Sequence, residues 1–97
     1  MMRSLRRTPE AERDIEQIVR YLAQDNLPAA LAWLDKLELV FSLFLTQPEI
    51  GQRRWSPRYG DLRRHAHGNY IVYYKLTPDI LQIVRVLHGA RDQGRLV

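Results

Sequence analysis

The chain contains no cysteine, so neither a disulfide nor a thiolate metal site can stabilise it, and a reducing cytoplasm is the expected setting. No apolar run approaches the roughly 20 residues that a membrane-spanning helix needs. The basic N-terminus is not followed by the apolar segment of a signal peptide. With 97 residues, of which 45% are hydrophobic, we expect one small globular domain over residues 1–97, outside any membrane.

Lysine is also scarce, because only two of the fifteen basic residues are lysine and the others are arginine. Arginine suits planar, bidentate recognition of carboxylates and phosphates, so this bias indicates partner binding. The net charge of +4 is unevenly distributed. Residues 10–49 hold eight acids and three bases, whereas residues 50–97 hold nine bases and three acids. We therefore expect one acidic and one basic surface.

Two helices are predicted in the first half of the chain. Thr8 and Pro9, followed by several acids, are typical of a helix start, and this helix should end near residues 24–26. Pro28 can begin a second helix that stops at Gln47 and Pro48, and the short connection predicts an antiparallel helical hairpin. The second helix has more apolar residues than one stripe requires. Either it is sandwiched between the first helix and a sheet, or it presents an apolar groove to a partner.

The second half of the chain is predicted to form a sheet. Residues 47–60, with two prolines and two glycines, are predicted to be a loop. Strand-like runs follow at Leu62–His67, Tyr70–Leu76 and Ile80–Leu87, and residues 3–8 can add a strand before the first helix. The predicted fold is α+β, in the order β-α-α-β-β-β, with the helical hairpin packed on one face of a small antiparallel sheet. In this arrangement the acids lie on the outer face of the hairpin and the arginines on the sheet and its loops.

Residues with nuclease chemistry are present, but their spacing is not diagnostic. Metal-independent RNA cleavage needs a base, an acid and cations around one phosphate. The residues that could supply these roles are Arg64, Arg85, His88 and Arg91, with His67 as another acid or base. The alternative is an arginine-rich surface that binds an acidic partner. No ligand set with metal spacing occurs, so neither a metal nor a cofactor is predicted.

Three segments resemble the ParE branch of the ParE/RelE toxin superfamily of bacterial toxin–antitoxin modules. They are Asp61-Leu62-Arg63-Arg64, the stretch GNYIVYY at residues 68–74, and VRVLHGARD at residues 84–92. The opening TPEAERDI at residues 8–15 resembles the start of that family's first helix. The resemblance covers nearly the whole chain, and the predicted order of elements is that of the superfamily's fold.

The resemblance implies a growth-inhibiting, cytoplasmic toxin, of the kind associated with plasmid stabilisation, neutralised by a cognate ParD-like antitoxin encoded beside it. ParE-like toxins poison DNA gyrase, whereas RelE-like toxins cleave messenger RNA on the ribosome. In the nucleases an arginine follows the strand tyrosine that Tyr70 resembles, and here Ile71 takes that place. We therefore expect a gyrase inhibitor rather than an enzyme. The alternatives are a RelE-like endoribonuclease, a non-toxic remnant that only binds antitoxin, and, in second place, direct nucleic-acid binding.

Two contact surfaces are predicted. An amphipathic antitoxin helix would dock on the second predicted helix, and an acidic extension would pair with the basic sheet. The residues predicted to contact the antitoxin are Trp33, Leu37, Leu39, Val40, Leu43, Phe44, Arg63, Arg64, Tyr73 and Arg85. The residues predicted to contact the target are Arg53, Arg54, Trp55, His88, Arg91 and Arg95.

Overall fold

The computed structural model describes residues 2–96, which form two helices, a five-stranded sheet and one 3-10 turn. The elements in chain order are β1 (Ser4–Arg7), α1 (Pro9–Ala23), α2 (Leu27–Thr46), β2 (Gln52–Ser56), β3 (Gly60–His67), β4 (Tyr70–Leu76), β5 (Ile80–His88) and a 3-10 turn (Gln93–Leu96). The strands lie in the order β1-β5-β4-β3-β2. The predicted α+β class and the helical hairpin are confirmed, and so are the three predicted strands β3 to β5.

Both helices begin where their capping residues predict. The Thr8 hydroxyl accepts a hydrogen bond from the Ala11 amide at 3.0 Å, and Pro9 occupies the first turn of α1. The Asn26 side chain accepts a bond from the Ala29 amide, also at 3.0 Å, at the start of α2. The connection between the helices is short, so they pack side by side as an antiparallel pair.

The sheet is mixed, and the prediction of an antiparallel sheet was wrong in this respect. The strands from β2 to β5 pair antiparallel, whereas β1 pairs parallel to β5, with Ser4 opposite Ile80 and Arg7 opposite Ile83. This pairing joins segments that are more than 70 residues apart. No local turn signal specifies it, because parallel strands are joined through long crossover connections.

The prediction of a loop over residues 47–60 was also wrong, because the segment contains strand β2. Residues 52–55 are all exposed and therefore show no alternation of buried and exposed positions. The start of β2 is positioned by Tyr74, whose hydroxyl accepts a hydrogen bond from the Gly51 amide at 2.9 Å and donates one to the Pro48 carbonyl at 2.8 Å. Burial raises the pKa of Tyr74, which keeps this hydroxyl protonated.

The two faces of the sheet carry separate apolar clusters. On the helix face, the hairpin packs against the sheet through a core that includes Phe41, Phe44 and Tyr74, and the Phe44 and Tyr74 rings stack at 4.1 Å. The opposite face, which we call the open face, has a smaller cluster that includes Tyr73 and is closed by Leu96 of the 3-10 turn. Side chains on the two faces therefore have different neighbours.

Candidate functional site

The residues with functional chemistry lie in four places: a buried ion pair, a cavity at the end of β5, the outer surfaces of α2, and strand β2.

The ion pair joins Arg85 of β5 to Asp14 of α1. The Arg85 Nε lies 2.7 Å from one Asp14 carboxylate oxygen and its Nη2 lies 2.9 Å from the other, which is bidentate geometry. The Asp14 carboxylate also accepts a bond from the Val86 amide at 3.0 Å.

This pair corrects two expectations from the sequence. Asp14 does not belong to an acidic outer surface, and Arg85 does not belong to a basic one, because each residue is only 6% exposed. Hydrogen bonding to Asp14 raises the pKa of the Arg85 guanidinium above its already high ordinary value. The guanidinium is thus neutralised within the protein and is not presented to an antitoxin or a phosphate.

A turn after β5 gathers His88, Arg91 and Asp92. The His88 Nδ1 accepts hydrogen bonds from the amides of Ala90 and Arg91 at 3.2 and 3.1 Å. The Asp92 carboxylate accepts bonds from the His88 amide and from the Arg91 side chain, both at 3.2 Å. The hydrogen bond from Arg91 lowers the pKa of Asp92, with a further contribution from the His88 amide. The turn is therefore ordered by its own side chains.

A small cavity of about 100 Å³ lies between this turn and α1. Its wall includes Tyr70, whose ring meets the His88 ring edge-on at 5.3 Å. Burial raises the pKa of Tyr70, and the charge of Arg91 opposes that rise. Tyr21 and Arg95 also line the cavity. Tyrosines beside cations give this end of the molecule both apolar and hydrogen-bonding groups for a partner.

The predicted nuclease residues do not form one centre. Arg64 lies opposite Tyr73, which in turn lies opposite Arg85, so these residues form a row on the open face. His88 instead lies opposite Tyr70, whose side chain belongs to the helix-face core. His67 packs against the Trp33 ring at 5.6 Å, and its Nε2 is buried with no hydrogen-bond partner among the described residues. The acid–base candidates are thus on the face opposite Arg64.

Only part of the predicted antitoxin surface on α2 is accessible. Leu37 and Phe44 are fully buried in the helix-face core, and Tyr73 is buried on the open face. Trp33, Val40 and Leu43 are half-buried, whereas Leu39 is 71% exposed. The excess apolar residues of α2 are thus divided between two environments. Some pack in the core, and others face solvent.

A groove between the two helices was not predicted from the sequence. It has a volume of about 390 Å³ and an apolar floor that includes Ile15, Val19 and Leu34. The Arg7–Glu38 ion pair lies at this groove. Leu31 is 48% exposed and lies on the same side of α2 as Leu34, at helical spacing. The periodicity of the separate helices could not reveal the groove, because its shape depends on how they pack.

The cations of β2 and β3 lie on both faces of the sheet. Arg53 is opposite Arg63, and Gln52 is opposite Arg64. Arg63 donates hydrogen bonds to the carbonyls of Gly51 and Glu49, at 2.8 and 3.3 Å. The Trp55 side chain is 64% exposed. The arginines of the sheet therefore do not form the single basic surface that the charge distribution predicted.

Within residues 2–96, no cluster of three or more histidine and carboxylate side chains has the arrangement of a metal site. In the same part of the chain, neither helix combines the length and apolarity required to cross a bilayer.

Comparison with known families decides the classification. The family described as the ParE toxin of the type II toxin–antitoxin system parDE matches residues 5–93. The chain belongs to the ParE toxin family. A solved structure titled "Chromosomal ParDE TA system from P. aeruginosa" matches this ParE family member with a TM-score of 0.72 and 20% sequence identity. The match covers 90% of this chain and 96% of the other, and it confirms the fold. No curated protein matches the sequence significantly.

Proposed function

We propose that this ParE family member is the toxin of a type II toxin–antitoxin module, that it arrests growth by binding DNA gyrase in the cytoplasm, and that a cognate ParD-like antitoxin neutralises it. The family match over residues 5–93 carries the toxin assignment. The gyrase target follows from the resemblance of the GNY and VLHGARD segments to ParE-like toxins rather than to the ribonucleases.

The separation of the nuclease candidates supports binding over catalysis. A metal-independent ribonuclease must place its base, acid and cations around one phosphate. In this protein the Arg85 guanidinium bonds Asp14, and Arg64 and His88 lie on opposite faces of the sheet. Arg91 and His88 are near each other, but the His88 Nδ1 already accepts two backbone hydrogen bonds.

We assign target contact to the turn after β5. Arg91 and Arg95 are exposed there and flank the cavity that Tyr21 and Tyr70 line. Arginine and tyrosine, together with tryptophan, are enriched among the residues that dominate the energetics of protein interfaces. Arg53, Arg54 and Trp55 were predicted to contact the same target, but they form a separate surface at the far edge of the sheet.

We assign antitoxin contact to the exposed apolar residues of α2. Leu39 presents the largest exposed fraction of any leucine on this helix, and the exposed Leu31 lies one turn from Leu34, which lines the groove between the helices. An amphipathic helix can cover such residues with its apolar face. For the test, the antitoxin is the product of the open reading frame that we expect beside the gene.

The deciding experiment is induction of the chain without antitoxin. We expect growth to stop, and we expect the purified chain to inhibit supercoiling of a relaxed plasmid by gyrase. Arg91→Glu with Arg95→Glu should weaken that inhibition, whereas Arg13→Glu with Arg20→Glu on α1 should not, although both double variants change the charge equally. Growth arrest with unimpaired supercoiling and rapid cleavage of ribosome-bound transcripts would support the ribonuclease alternative. Antitoxin binding without growth arrest would identify a non-toxic remnant.

A further inference from the structure

Strand β2 is a free edge of the sheet. Within residues 2–96 it pairs only with β3, and residues 52–55 are exposed. On an edge strand, alternate residues direct their backbone N–H and C=O groups away from the sheet. A second extended chain can therefore pair with β2.

The opposite edge of the sheet is less accessible. Strand β1 has four residues, and Arg7 at its end forms an ion pair with Glu38 of α2. The Arg3 side chain, just before β1, donates a hydrogen bond to the Thr77 carbonyl at 2.6 Å. In β2, the side chains of residues 52–55 form no hydrogen bond or salt bridge with the rest of the described chain, and only Ser56 at its end does so. Of the two edge strands, β2 is therefore the more accessible to a partner.

The charges around β2 determine what can pair with it. Arg53 lies directly opposite Arg63, and like charges in this position destabilise a strand pair. Among the described residues, no carboxylate forms a salt bridge with either residue, or with Arg54 or Arg64. The positions alternate along the strands, so Arg53 and Arg63 share the helix face with Tyr74, and Arg54 and Arg64 share the open face with Tyr73. The edge is thus positive on both faces.

A second copy of the chain is disfavoured at β2, because its own arginines would add positive charge to an edge that is already positive. An extended acidic segment instead places carboxylates beside the arginines of both faces while its backbone completes the ladder. Trp55 adds an exposed aromatic surface at the same edge. We propose that β2 binds an acidic, extended peptide segment as a sixth strand of the sheet. The proposal does not depend on gyrase being the target.

The test uses the full chain and a blocked, fluorescein-labelled peptide in which pairs of glutamates alternate with pairs of valines, so that carboxylates project from both faces of the strand. We expect saturable binding that weakens as salt is added, together with slower amide exchange at alternate residues of β2. Arg53→Glu with Arg54→Glu should weaken binding by about tenfold or more. The matched control is Arg13→Glu with Arg20→Glu on α1, which changes the net charge equally and should leave binding close to that of the unmodified chain.

A second peptide makes the test independent of any variant's folding. It has the same sequence but carries N-methyl groups on all of its internal amides, so it keeps its charge and cannot donate backbone hydrogen bonds to β2 from either edge. Loss of binding supports the proposal. Equal binding of the methylated peptide would reduce the interaction to charge attraction and overturn the proposal. The proposal would also be overturned if single-stranded oligothymidine bound this edge and quenched the fluorescence of Trp55 while the peptide failed to bind. In that case β2 would be a nucleic-acid surface.

Discussion

Replacing Asp14 by alanine tests whether the buried Arg85–Asp14 pair holds α1 against β5. The substitution removes two charge-assisted hydrogen bonds and the acceptor of the Val86 amide. Arg85 is then a buried charge without a partner, and breaking a buried pair in this way costs about 3–5 kcal/mol. A 97-residue domain has a total stability of about 5–15 kcal/mol. Asp14→Ala should therefore remove a large fraction of the stability.

The assay is equilibrium urea unfolding followed by tryptophan fluorescence and circular dichroism, with the same slope expected for all variants. A double-mutant cycle with Arg85→Met separates the pair from its surroundings. Removing both charges should recover part of the loss, because a buried pair replaced by apolar groups of similar volume is often nearly neutral. The coupling energy should exceed about 2 kcal/mol, since both partners are desolvated.

The control is Glu16→Ala, which removes the exposed Glu16–Arg20 pair from the same helix. Exposed pairs of this spacing contribute about 0.3–0.5 kcal/mol. A loss for Asp14→Ala no larger than that of Glu16→Ala would refute the claim that the pair is desolvated. An unrecovered loss in the double variant would instead indicate that Arg85 and Asp14 act through separate contacts.

Three further outcomes are expected. Gly51→Ala should lower the free energy of unfolding by about 1–3 kcal/mol, because an added Cβ would lie 2.7 Å from the Tyr74 hydroxyl. At Gly94 nothing lies within 4 Å of an added Cβ, so Gly94→Ala should be tolerated in the same urea titration. The lowered pKa of Asp92 stabilises the fold at pH values above the ordinary carboxyl pKa of 3.8, and this contribution is lost as the pH falls. Asp92→Asn should therefore flatten the acid limb of a stability–pH curve, and an unchanged limb would contradict the assignment. Leu39→Lys should leave growth arrest intact but weaken antitoxin binding by about 10- to 100-fold in titration calorimetry, since burying a leucine contributes about 1.5–3 kcal/mol. If Leu31→Lys weakens binding and Leu39→Lys does not, the antitoxin lies in the groove between the helices instead.

Local signals in the sequence were sufficient for the helices and for three strands. Thr8 and Asn26 cap helices with their own side chains, so a few neighbouring residues specify each start. The strands β3 to β5 are joined by short turns, which specify antiparallel neighbours. The family resemblance also rested on contiguous segments, and the match over residues 5–93 confirms it.

Strands β1 and β2 show what local signals leave undetermined. Residues 3–8 were predicted as a strand, but the parallel pairing of β1 with β5 joins residues far apart in the chain. Strand β2 has no buried stripe, because its residues 52–55 are all exposed, and only its pairing with β3 makes it a strand. Neither segment's own pattern specifies which strand it pairs with.

The charges show the same division between sequence and tertiary structure. The sequence by itself determined that acids concentrate in the helices and arginines in the strands, and it indicated a ParE-like chain. Only the tertiary structure decided which charges are available to partners. Packing buries Asp14 and Arg85 against each other, and the sheet order leaves Arg53 and Arg54 at a free edge. An ion pair depends on the distance between two side chains, and that distance is determined by packing between elements that are distant in sequence.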